Sequence, residues 1–225
     1  MIKQVLNKFQ RRRSTVLKDK KFWLIILLFG SIWGGLEVLL HDSLKMVNFS
    51  PISPVLTAVG FLTLAVARMI YNKRGSSAII GGIAGLYKFL GLAFFPCQLF
   101  AVILQGATFD VVYSYLDKRL RENSIKRGVI GSLSAYLSYL VFVIVVTYIV
   151  PYSFWPSRGL SGVLNHAGIE GSFAALGGFL AVSLGERLGR KVREKFYYLQ
   201  SSRAPLFYTS AVSVILICWL LMVFL

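Results

Sequence analysis

Glutamate and histidine stand four residues apart at two places in the chain, and these are its only two histidines. Glu37 and His41 end the apolar run FWLIILLFGSIWGGLEVLLH. His166 and Glu170 lie early in LSGVLNHAGIEGSFAALGGFLAV. Residues four apart share one face of a helix. An ionisable side chain facing lipid is costly, so such residues turn toward a bundle interior or a watery cavity and mark candidate functional sites. Imidazole and carboxylate together suit a transition metal such as zinc, nickel, cobalt or iron. The same four side chains could instead satisfy one another within each helix, or line a pocket for a small molecule. Glu37, His41, His166 and Glu170 are therefore candidates both for a metal site and for a substrate site. Cys97 is a candidate soft fifth ligand, or an inert buried thiol.

The segments carrying these residues are long and apolar. Hydrophobic residues make up 56% of the 225, and only 15% are charged. Soluble domains carry about 25% charged residues, and crossing a bilayer takes about 20 apolar residues. The pattern predicts an all-α polytopic membrane bundle. Seven spans are expected, at about 22–41, 54–71, 77–95, 97–116, 129–150, 161–183 and 206–225. A basic segment at 1–21 and a basic connection at 184–205 complete the division. The first run is too long for the core of a secretory signal and lacks a small-residue cleavage site, so it reads as a retained span. Phe95-Pro96-Cys97 reads as a tight turn between the third and fourth spans, because proline breaks the helix there. Cys97 and Cys218 fall in different spans and give no disulfide framework.

Charge distribution orients the spans. The net charge is +16, and 22 of the 25 Lys and Arg fall in alternate connections on one side. Only Lys45 and Arg158 fall on the other, and Lys88 lies within a span. Cytoplasmic loops carry the excess of Lys and Arg. The expected place is the cell membrane, with a cytoplasmic N-terminus and an external C-terminus. This clustering between spans also explains the basicity without nucleic acid. Both Glu/His pairs then lie in the outer half of the membrane.

Small residues at four-residue spacing let membrane helices approach closely. Gly30 and Gly34 continue to Glu37 and His41, Gly81 and Gly85 continue to Lys88, and Gly162 leads to His166, Glu170, Ala174 and Gly178. The close-packing face and the polar face coincide, which predicts a bundle around a small polar chamber. Gln98 and Gln105, seven apart, add a polar face from the fourth span. Two Glu against one Lys with neutral His leave the chamber near −1, which favours a cationic ligand. Lys88 is expected to meet Glu37 or Glu170. Trp155, with Tyr152 and Phe154, reads as an interfacial aromatic belt or a lid over a ring-shaped substrate. Asp110 is expected deeper, beside a tyrosine or Arg127. The stretch GERLGRKVREKFYYLQSSR (185–203) reads as an amphipathic helix on the inner leaflet or as a docking surface.

No HExxH, GxSxG or Walker A sequence occurs. ATP hydrolysis by a phosphate loop is excluded, so energised transport would need a partner. Two other readings remain: a membrane enzyme in which the Glu/His pairs hold a metal that activates water, and a structural membrane protein.

Six short helices, the small-residue motif of the first span and GGIAGLYKFLGLAFFPCQLFAVILQGATFDVVY across the third and fourth resemble the substrate-binding S components of energy-coupling factor (ECF) transporters. The resemblance covers residues 22–183. It implies a six-helix core with a pocket on the external side, here built by helices 1, 3, 4 and 6 and followed by a seventh transmembrane helix as an addition. It implies capture of a vitamin, a vitamin precursor or a transition-metal ion. It also implies partners, a transmembrane T component and a pair of ABC ATPases. Gly30 and Gly34 would match the motif that contacts the T component, with glycines in place of the usual alanines. The N-terminus MIKQVLNKFQ lacks the histidine of the metal-specific branch. Cys97 occupies the place of a cysteine used by cobalamin-binding members.

Overall fold

The computed structural model describes residues 20–90, 96–120, 124–149 and 159–224. Among these the chain is helical, with no strand. Helix α1 spans Lys20–Met46, α2 Ile52–Ile70, α3 Ser76–Leu86, α4 Pro96–Leu116 and α5 Ser124–Ile144. Then come α6 at Gly159–Leu164, α7 at Gly171–Ser202 and α8 at Ala204–Phe224. A 3₁₀ turn, Tyr87–Leu90, extends α3. A π-helical turn, Asn165–Glu170, fuses α6 and α7 into one rod, since both flanking residues keep helical dihedrals. Six of the rods are long and apolar enough to cross a membrane, as in a multi-pass membrane protein. The rod of α3 and its 3₁₀ turn, Ser76–Leu90, is shorter. The turn at 91–95 lies outside the described residues, but α4 opens on Pro96, where a missing N–H costs nothing.

The core follows from spacing. Phe22, Ile25, Ile26, Phe29 and Trp33 form one stripe of α1. It joins one continuous core with Phe61 and Leu64 of α2, Val102 and Phe109 of α4, and Ile130 of α5. Helix α7 lies along α2 and α5, α3 lies against α1 and α4, and α4 against α5. Between apolar helices in lipid, this association rests on van der Waals fit rather than on burial from water. Glycine supplies the fit where α3 crosses α4: a Cβ on Gly81 would lie 2.8 Å from the Gly106 Cα, and the reverse holds. The outward faces of α5, α7 and α8 carry Leu140, Leu176, Leu180, Leu216 and Leu220, an apolar surface of the extent that marks a contact with lipid or protein.

Three expectations change on the structure. The basic stretch is helical, as read, but it continues the rod of α7 to Ser202 instead of starting a separate element. Arg and Lys end a membrane span without ending a helix, because both are good helix formers. Gly30 and Gly34 present no open docking face. A Cβ on Gly30 would meet the Ile83 side chain at 2.6 Å, and one on Gly34 the Tyr87 ring at 2.5 Å. Both glycines make room for the chain's own third helix. Asp110 pairs with Arg68 at 2.8 Å, not with Arg127. It also caps α3 by accepting the backbone N–H of Gly75 and Ser77, each at 2.9 Å.

Helix α8 covers the outer side of this packing. Trp219 lies 5.1 Å from the Tyr87 ring, centroid to centroid. Cys218 Sγ would lie 3.7 Å from a Cβ on Gly35. Helix α8 thus braces the 3₁₀ turn from which Lys88 projects.

The ends of the bundle differ in chemistry. At one end Arg127 bonds the carboxylate of Asp117, donates to the Tyr113 hydroxyl and pairs with Glu186 at 2.7 Å. The guanidinium groups of Arg68 and Arg127 lie 5.0 and 5.2 Å from the Tyr113 ring centroid, within cation–π range. The opposite end holds the candidate site.

Candidate functional site

Three apolar rods bring the polar residues together. On α1, Glu37 and His41 point toward the α3–α4 pair. Lys88, on the 3₁₀ turn, places Nζ 3.3 Å from Glu37 Oε1, and both residues are 5% exposed. The carboxylate expected for Lys88 is thus Glu37. A buried ion pair needs such a partner, because an uncompensated charge inside a bundle is costly.

His41 is held from two sides. Its Nδ1–H donates to Asp42 at 2.9 Å, and its Nε2 accepts from the Gln98 amide at 3.2 Å. This assigns the tautomer, since a neutral imidazole has one donor and one acceptor. Gln98 lies on α4, so the contact ties the end of α1 to the start of α4. One turn pair further along α4, Gln105 donates to Thr57 Oγ1 of α2 at 2.9 Å.

His166 and Glu170 are held by the π-helical turn. The insertion brings His166 Nδ1 to 2.8 Å from Glu170 Oε2 and buries the imidazole to 9% exposure. Such insertions in helices occur often at functional sites. The His166 ring stacks on Tyr139 of α5, with centroids 4.8 Å apart and planes at 25°. The Phe142 ring is tilted against it as well, with centroids 5.6 Å apart. Tyr139 OH and Ser53 Oγ, 2.7 Å apart, join α5 to α2.

These residues line two adjoining, half-open lobes. A lobe of about 190 Å³ is lined by Cys97, Ser138, Tyr139, Phe142 and His166. A second of about 170 Å³ is lined by Glu37, His41, Ile52, Leu56 and Lys88. Ser53, Gln98, Ala101 and Gln105 line both, so the lobes adjoin across a common wall. Each is comparable to a cavity of about 150 Å³ that admits a benzene ring. Seven of the residues singled out from sequence therefore line these two adjoining lobes: Glu37, His41, Lys88, Cys97, Gln98, Gln105 and His166. Glu170 stands behind His166 and lines neither lobe. Trp155, Tyr152 and Phe154 lie outside the described residues.

The candidate metal ligands do not gather into one set among the described residues. No group of three or more His, Cys, Asp or Glu comes together among the described residues. Glu37 turns to Lys88, His41 to Asp42 and Gln98, and His166, which lines the other lobe, to Glu170 behind it. Cys97 joins the apolar packing around Phe142 and Val143. Four-residue spacing fixed which residues share a face, but not where that face points.

Sequence reading missed Ser53, Tyr139 and Phe142. The π-helical turn could not be foreseen, and it is what sets His166 against the α5 rings. No protein-family model, curated protein or solved structure matches the chain. The class of protein is therefore read from fold and site alone: a multi-pass helical bundle with a small, partly polar chamber near one end.

Proposed function

We propose that the chain is a substrate-capture membrane subunit of an ECF-type importer, and that its cargo is a small organic micronutrient held in the two-lobed chamber. One observation carries this reading. Polar side chains from α1, the 3₁₀ turn, α4 and the π-helical turn, which are remote in sequence, converge on a chamber of ligand size. The excess of Lys and Arg at the opposite end supports a cytoplasmic N-terminus, with the chamber opening toward the outside. The sequence holds no phosphate loop, so uptake would need a membrane T component and ABC ATPases.

Ligand binding to the folded state raises stability by RT ln(1 + [L]/Kd). Purified protein screened against vitamins and their precursors should show a raised thermal midpoint with at least one of them. A flat response across the whole panel would refute the capture role and leave the structural reading.

A further inference from the structure

Helix α7 carries one exposed face along most of its length, and the chemistry of that face changes midway. Phe173, Leu176, Leu180 and Leu184 recur every three or four residues and are all exposed, so they form one stripe. The same spacing continues into Arg187, Lys191 and Lys195, which are exposed as well. Tyr198, also exposed, closes the stripe with an aromatic ring of the kind that favours a membrane interface. The opposite face stays seated on α2 across the change. A Cβ on Gly185 would lie 2.8 Å from the Ala65 Cβ, and one on Gly189 2.6 Å from the Met69 Cβ. The cationic row therefore prolongs the apolar stripe and shares its outlook.

The row has no counter-charge of its own. None of the ion pairs among the described residues includes Arg187, Lys191 or Lys195. Glu37, Asp42, Asp110, Asp117, Glu170 and Glu186 are each paired with another residue. Glu194 is the one exposed carboxylate of the basic stretch 185–203.

We propose that this row is a headgroup site for an anionic phospholipid in the leaflet at the basic end. The phosphate lies against Arg187, Lys191 and Lys195, and the acyl chains run along Leu176, Leu180 and Leu184. Long basic side chains lay their stems on apolar surface and carry the charge to its edge. Each Lys or Arg beside an anionic lipid surface adds to the attraction. An acidic soluble protein would supply the charge but would leave the continuous apolar stripe above the row unmatched. The site is independent of what the chamber holds.

Native mass spectrometry of the full chain in micelles, titrated with dioleoyl phosphatidylglycerol or dioleoyl phosphatidylcholine, tests it. Phosphatidylglycerol should bind more tightly than phosphatidylcholine. Lys191→Gln should weaken that binding about fivefold, and Arg187→Gln/Lys191→Gln/Lys195→Gln about a hundredfold. Arg193→Gln removes the same charge from the row of Gly185 and Gly189 and should leave binding unchanged. Should the triple variant fail to fold, the two single variants decide. Equal binding of the two lipids, or equal losses in Lys191→Gln and Arg193→Gln, would overturn the proposal. So would glycerol phosphate or a polyglutamate peptide binding as tightly as phosphatidylglycerol, the latter marking the row as a surface for an acidic protein.

Discussion

Lys88→Met is expected to destabilise the folded bundle by about 3–5 kcal/mol, because it leaves the Glu37 carboxylate buried without a counter-ion. Removing both charges should be milder than removing either. The double variant Lys88→Met/Glu37→Gln is expected to recover more than half of the loss, since a buried pair replaced by neutral side chains of similar volume is often near neutral. Unfolding in micelles by titrated denaturing detergent, run as a double-mutant cycle, measures the coupling. Single losses that simply add would show that the pair is not a unit. The cycle also separates architecture from recognition. A stable double variant that no longer binds solute would assign Glu37 to binding as well as to packing.

A comparable loss is expected at the opposite end. Arg127 serves Asp117, Tyr113 and Glu186 at once, and Glu186 has no exposure to solvent. Arg127→Met should cost about 3–5 kcal/mol through the stranded Glu186 carboxylate. The added change Glu186→Leu should return most of it. Asp117 is partly exposed, 22% at the side chain, and can turn to water, so its stranding adds little. The same unfolding measurement decides. Arg127→Met with wild-type stability would mean that the pairing contributes nothing, as many exposed ion pairs do. Binding in the distant chamber should survive the double variant.

The two ends differ in how much the amino-acid sequence reveals. At the chamber end, polar residues interrupt long apolar runs, so Glu37, His41, Lys88 and His166 stand out. Helical spacing marks Glu37 and His41 as sharing a face, but not that they line one lobe and His166 the other. At the basic end the same signal is drowned. Arg68, Arg127 and Glu186 sit among many charged residues and read as topology or solvated surface, yet they are buried. Only the packing of α7 along α2 and α5 shows that Glu186 turns inward.

Other features escaped for local reasons. Small-residue spacing at Gly30 and Gly34 announces a close neighbour without saying which, and the neighbour proves to be the chain's own Ile83 and Tyr87. Ser53, Tyr139 and Phe142 are ordinary residues for apolar helices, and nothing in their spacing marks a chamber wall. The extension of α7 to Ser202 was hidden by equating the end of a span with the end of a helix. Lipid thickness sets the first, while hydrogen bonding and helix propensity set the second.

The central claim is that the two-lobed chamber holds a small solute. Ala101 lines both lobes, so a tryptophan at that position would fill the space between them. Native mass spectrometry of the wild type and of Ala101→Trp, each incubated with vitamins and precursors, tests the claim most directly. One small-molecule adduct per wild-type chain and none on Ala101→Trp, with thermal stability retained, is the expected result. An adduct on both proteins, or on neither, would contradict it.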